Sequence, residues 1–108
     1  MTTRTREETR GFERRPVAAT ASIRQSGVPG RFAATIRNLS ASGFSCESGR
    51  ALAKGQWIVV TLPDLQPLAA SVAWTEGEKA GCAFERPLHQ AVWEHFVSRY
   101  RAATTRLA

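Results

Sequence analysis

Short runs in which apolar side chains fall at every second position, each closed by a cluster of glycine, proline, asparagine or serine, constrain this chain more than any other feature. Val17, Ala19, Ala21 and Ile23 alternate with Ala18, Thr20, Ser22 and Arg24, the pattern of a strand with one face buried. Residues 25–30, with Gly27, Pro29 and Gly30, break the run, and Phe32, Ala34 and Ile36 resume it. A turn over 38–43 follows, built of residues that hydrogen-bond their own backbone or tolerate positive φ: Asn38 as the side-chain bonder, Gly43 as a left-handed residue. Phe44 and Cys46 open a third strand. The run 57–62 is almost continuously apolar and ends at Pro63, so it reads as a strand covered on both faces. Leu68, Ala70, Val72 and Trp74 alternate in a fifth strand, which the short connection Glu76, Gly77, Glu78, Lys79 joins as a hairpin to a sixth carrying Cys82 and Phe84.

Six short strands at this spacing predict an all-β domain, a barrel or a sandwich. The last segment changes period. Leu88, Val92, Phe96 and Tyr100 recur every four residues, Trp93 and Val97 widen the stripe, and Pro87 suits a first helical turn. One amphipathic helix over 88–103 is predicted, packed across the strands, with residues 104–108 frayed. At the other end, residues 1–13 carry Arg4, Arg6 and Arg10 against Glu7, Glu8 and Glu13 with Phe12 as the single large apolar side chain. Such a segment buries too little to order itself, and it is read as a flexible N-terminal arm. The resulting organisation is an arm, a domain over 14–103, and a short tail.

With 108 residues and 43% hydrophobic content the chain makes one domain with a compact core. Cys46 and Cys82 stand 36 residues apart, both on alternating segments, and are expected to be reduced core residues. The first ten residues have no apolar stretch, and no run approaches the length of a membrane span. A cytoplasmic protein without membrane insertion is expected.

Catalytic chemistry finds little to work with. His89 and His95 are six residues apart on the helix, about 600° of rotation, so they do not share a face as metal ligands would. Asp64 is the one aspartate and sits in a Pro63 to Pro67 turn, where aspartate has a structural reason to be. No nucleophile-base constellation and no glycine-rich phosphate loop occurs. The expectation is a protein that is not an enzyme and carries no metal or cofactor. Trp57, Trp74 and Trp93 are assigned to the core, Trp74 having the alternative of a ligand contact at its strand end.

The charge points to anions. Fifteen basic residues against nine acidic give +6, and all the basic ones are Arg apart from Lys54 and Lys79. Arg presents a planar fork of donors that pairs with phosphate or with the O6 and N7 edge of guanine. The basic residues are scattered and not gathered in a stripe, and exposed aromatics are expected to be few, which argues against a general nucleic-acid surface.

Two local patterns remain. Arg10, Gly11, Phe12, Glu13, Arg14 give an RxxxR spacing just before the first strand, and Asn38, Leu39, Ser40, Ala41, Ser42, Gly43 give NxSxxG in the turn after the second. In this order and at these places they resemble the PilZ family, with further likeness at Arg15, Pro16, Val17, at Val72, Ala73, Trp74, at Gly81 to Glu85 and at Pro87, Leu88. The resemblance implies a six-stranded antiparallel β-barrel with a C-terminal helix. It also implies binding of the bacterial second messenger cyclic di-GMP. On that resemblance Arg10 and Arg14 contact guanines and phosphates, Asn38 and Ser40 hydrogen-bond a guanine, and Gly43 keeps a Cβ out of the ligand's way. Arg15 is the alternative to Arg14 as the second arginine of the motif. The implied role is a single-domain receptor that passes the signal to a protein partner; the other reading is a PilZ-like adaptor that docks a partner without the nucleotide. Removing Arg14 or Ser40 is expected to abolish nucleotide binding and leave the fold intact.

Overall fold

The structure, a computed structural model, describes residues 13–102. The six strands are β1 (Arg15–Gln25), β2 (Phe32–Leu39), β3 (Gly43–Ser48), β4 (Trp57–Thr61), β5 (Leu68–Glu76) and β6 (Lys79–Phe84), and one helix, α1 (Gln90–Arg99), follows. The strands close into a barrel in the order β1-β2-β3-β6-β5-β4, every pair antiparallel. Closure leaves no edge strand to recruit another chain. Residues 1–12 and 103–108, which include all but the last residue of the expected arm (1–13) and the whole of the expected tail (104–108), lie outside the described residues.

Period-two alternation fills the barrel as the sequence predicts. Val17, Ala19, Ala21 and Ile23 of β1, Ala34 and Ile36 of β2, and Ile58 and Val60 of β4 are buried, while their neighbours in sequence face out. β4 is a correction: it is covered on one face only, because its outward residues Trp57, Val59 and Thr61 have no layer above them. Two tryptophans correct with it. Trp57 is 51% exposed and Trp74 42%, and only Trp93 is in the core.

Trp74 faces outward for a reason that strict alternation misses. The β5–β6 register pairs Val72 with Cys82 and then Trp74 with Gly81, so β5 carries one extra residue there. A bulge of this kind flips the parity of everything beyond it. Ala73 and Trp74 therefore both point to solvent. β2 does the same, with Ile36 opposite Cys46 and Asn38 opposite Ser45; Arg37 is exposed, Asn38 half-buried on the outside, and Leu39 returns to the core.

The helix closes one end of the barrel and is shorter than 88–103. Pro87 and Leu88 precede it; His89, in extended conformation, is its N-cap, and the imidazole Nδ1 accepts from the Ala91 N–H at 3.1 Å. Tyr100 ends it, and the chain then bridges back to β1 through Arg101 and Val17. Trp93 and Phe96 are its buried anchors. The Trp93 indole N–H donates to the Leu39 carbonyl at 2.9 Å, so a large apolar side chain is buried with its polar atom satisfied. At the far end Tyr100 donates to Asp64 at 2.7 Å, with Arg99 3.3 Å from the same carboxylate, which ties α1 to the loop after β4. Cys46 and Cys82 are buried and unbridged inside the barrel.

Candidate functional site

The two bulges build one surface. Asn38 of β2 lies opposite Ser45 of β3, Ser45 opposite Gly81 of β6, and Gly81 opposite Trp74 of β5. These four residues form a single row across four strands on the outside of the barrel. Gly81 has no side chain, and the Trp74 indole occupies that space: a Cβ at position 81 would stand 2.0 Å from the indole nitrogen. The ring is thus laid along the sheet toward Ser45. A cavity of about 340 Å³ opens over the row, with Arg37, Asn38, Ser45, Glu47, Trp74 and Lys79 in its wall.

Arg14 closes the other end of the row. Its Nη1 donates to Asn38 Oδ1 at 3.0 Å. Arg15, one residue on, turns away and donates from Nε to Glu13 at 2.7 Å. Arg14, and not Arg15, is the arginine that the fold brings to the turn motif. Arg37, exposed, is held by the half-buried Glu47 at 2.9 Å, so the two charges offset each other and the pair adds little net field. Arg10 lies outside the described residues.

The turn between β2 and β3 is stapled from within. Ser40 is 1% exposed. Its Oγ accepts from the N–H of Ser42 at 3.2 Å and of Gly43 at 3.1 Å, and lies 3.1 Å from the Ser42 hydroxyl. Its own N–H donates to the Gly43 carbonyl at 2.8 Å. The surface contact expected of Ser40 is not what this geometry offers: the hydroxyl is spent beneath the turn, because Leu88 donates to Ala41 and Phe84 to Ser42 and together press the turn onto the rest of the domain. Ser40 positions the turn; Asn38 is the motif residue that faces out.

Gly43 also has a different cause from the one read in the sequence. It is not among the residues with positive φ, which are Gly27, Gly30, Gly55, Gly77 and Asp64. It begins β3, where the Cys82 carbonyl oxygen would stand 2.2 Å from a Cβ. Close approach of two strands, and no left-handed turn, demands glycine there. Nothing in the sequence pattern marks Ser45, Arg37 or Lys79 as site residues; Gly81, a glycine inside a strand pattern, carries the one signal.

The side chains on the face are of kinds that hydrogen-bond and stack. A guanidinium, a side-chain amide, a hydroxyl and an aromatic ring stand in line on the sheet, with an ammonium at Lys79 beside them. Among the described residues no group of three or more His, Cys, Asp or Glu is placed to hold a metal, and no helix is long and apolar enough to cross a membrane. His89 and His95 are exposed on the helix side.

Comparison with known proteins agrees with the architecture. Seven chains of solved structures match. One is the crystal structure of the PilZ domain of CeSA from a cellulose-synthesizing bacterium, with a TM-score of 0.55 and 14% identity over 81% of this chain and 92% of that one. At that identity the likeness is one of fold. No curated protein matches. The family model of the PilZ domain matches residues 8–100, which takes in both sequence motifs, all six strands and the helix. The chain belongs to the PilZ domain family.

Proposed function

We propose that the protein is a cyclic di-GMP receptor that binds the nucleotide on the outer barrel face crossed by Asn38, Ser45, Gly81 and Trp74. PilZ domains are in general binding modules for this messenger and not enzymes, and the chain shares their fold. The observation that carries the reading is the row itself, with Arg14 bonded to Asn38 at one end and the Trp74 indole over Gly81 at the other. A guanine has a face to stack and an O6 and N7 edge that accept a guanidinium in two bonds, and each phosphate does the same. The ligand offers two of each.

In this reading Trp74 supplies the stacking plane. Arg14 exchanges its Asn38 partner for the nucleotide, freeing the amide to hydrogen-bond the base. Arg10 is the second arginine, carried by the segment before β1. Ser40 and Gly43 act indirectly, by holding the turn that presents Asn38. The bound form passes its signal to a protein partner.

The test is a ¹H–¹⁵N spectrum of the labelled protein titrated with cyclic di-GMP, and with GTP and cyclic AMP as controls. The Trp74 indole N–H, the Asn38 amide and the backbone signals of Ser45 and Gly81 shift with cyclic di-GMP alone. A spectrum left unmoved, or one whose changes fall elsewhere on the barrel, overturns the reading and leaves an adaptor that does not use the nucleotide.

A further inference from the structure

Diametrically across the barrel from the β3–β6 pair lies the β1–β4 pair, and its outer surface has a character of its own. Trp57 and Val28 are, with Trp74, the large apolar side chains left exposed among the described residues, at 51% and 40%. Both border one hollow of about 500 Å³, together with Arg24 and Pro29. A smaller cavity of about 80 Å³ adjoins it, bordered by Ser22, Arg24, Arg31, Val59, Thr61 and Pro67, and shares Arg24 and Val59 with the hollow. No carboxylate lines either depression.

The two arginines also lack a carboxylate or aromatic partner among the described residues, as do Arg86 and Arg101 on other parts of the surface. Among the described residues Arg15, Arg37 and Arg99 have carboxylate partners and Arg50 stacks on Phe32. Arg24 and Arg31 have neither. A half-exposed tryptophan beside a hollow and two guanidiniums bordering the adjoining cavity make a surface with an apolar anchor point and a cationic margin.

We infer that this groove is the protein's docking surface for an acidic protein segment, one whose aromatic or aliphatic side chain seats beside Trp57 while its carboxylates pair with Arg24 and Arg31. Charge selects the occupant. The chain carries +6, and a second copy applying the same patch would set Arg24 and Arg31 against themselves. A nucleic acid would meet two cations where phosphate-tracking grooves present many. Strand addition has no edge to use in a closed barrel, so recognition runs through side chains. Carboxylates pair with Arg in two bonds each, which fixes the register of the segment. The inference stands independently of nucleotide binding, because its residues lie on the far side of the barrel.

The experiment is fluorescence polarisation without nucleotide. The probes are a labelled peptide of alternating glutamate and leucine with a central phenylalanine, the same peptide with lysine for glutamate, and a labelled oligothymidylate. The proteins are the wild type, Arg24→Glu with Arg31→Glu, Trp57→Ser, and Arg37→Glu as a control on the other face. The acidic peptide is expected to bind, to weaken by about tenfold or more in the charge reversal and again in Trp57→Ser, and to be indifferent to Arg37→Glu. Equal affinity across the variants overturns the inference. So does tighter binding of oligothymidylate, or a concentration-dependent dimer that Trp57→Ser abolishes.

Discussion

Ser40→Ala removes one oxygen from the turn between β2 and β3 and should cost more than an exposed serine would. The Oγ accepts from two backbone N–H groups. Gly43 is buried, and no water reaches its N–H once the acceptor is gone; a buried donor left unpaired costs about 1–3 kcal/mol. Ser42 is half-buried, so its N–H recovers most of its bond from solvent and adds about 0.5 kcal/mol. The sum is about 2 kcal/mol, and for a domain of this size it lowers the melting temperature by roughly 10 °C. Ser42→Ala is the matched control, since its hydroxyl touches only the Ser40 hydroxyl, and it should move the transition by roughly 2 °C or less. Thermal unfolding followed by circular dichroism reads both. A Ser40→Ala protein that melts with the wild type would refute the assignment of Ser40 as an internal staple, and would return it to the surface role read from the sequence.

Three further outcomes follow from single contacts. Gly43→Ala drives a methyl into the Cys82 carbonyl, which no rotamer change relieves, and should cost about 3 kcal/mol in urea unfolding, more than Ser40→Ala. Tyr100→Phe gives up the exposed bond to Asp64 and should lose only about 0.5–1 kcal/mol in the same assay. Its hydrogen bond to Cys46, then burial, hold the Cys82 thiol well above its ordinary value. The unfolded chain sheds that proton above about pH 8.5 while the folded chain keeps it, so this group makes stability fall as pH rises from there. Because the same contact holds Cys46 low and its loss would leave that thiol pushed up by burial, both must go: Cys46→Ala with Cys82→Ala should flatten the decline between neutral and alkaline pH, as measured by urea midpoints.

The strands were legible because burial on one side of a sheet writes itself into every second residue: Val17 to Ile23, Phe32 to Ile36 and Leu68 to Val72 needed nothing else. What the alternation could not carry were the places where it changes phase. The bulges at Arg37 and at Ala73 turn Asn38 and Trp74 outward, and they are set by pairing with a strand distant in sequence, so Trp74 read as core. Trp57 failed for a related reason. A closed barrel of six strands has nothing to lay over β4, whereas an unbroken apolar run implies that something does. The turn motif showed its residues but not their direction, since Ser40 is buried by contacts from Leu88 and Phe84 that lie more than forty residues on. The helix began later than Pro87 suggests because His89 caps it in place of a residue before the proline.

The measurement that bears most directly on the account is isothermal titration of cyclic di-GMP into the wild type and into Arg14→Ala, whose guanidinium is exposed and makes no contact the fold depends on. Binding in the micromolar range or tighter by the wild type, weakened about 10- to 100-fold by loss of one charge-assisted contact, is the predicted result. Absence of heat with the wild type, or the same affinity in both proteins, would contradict the claim that this face of the barrel is where the nucleotide binds.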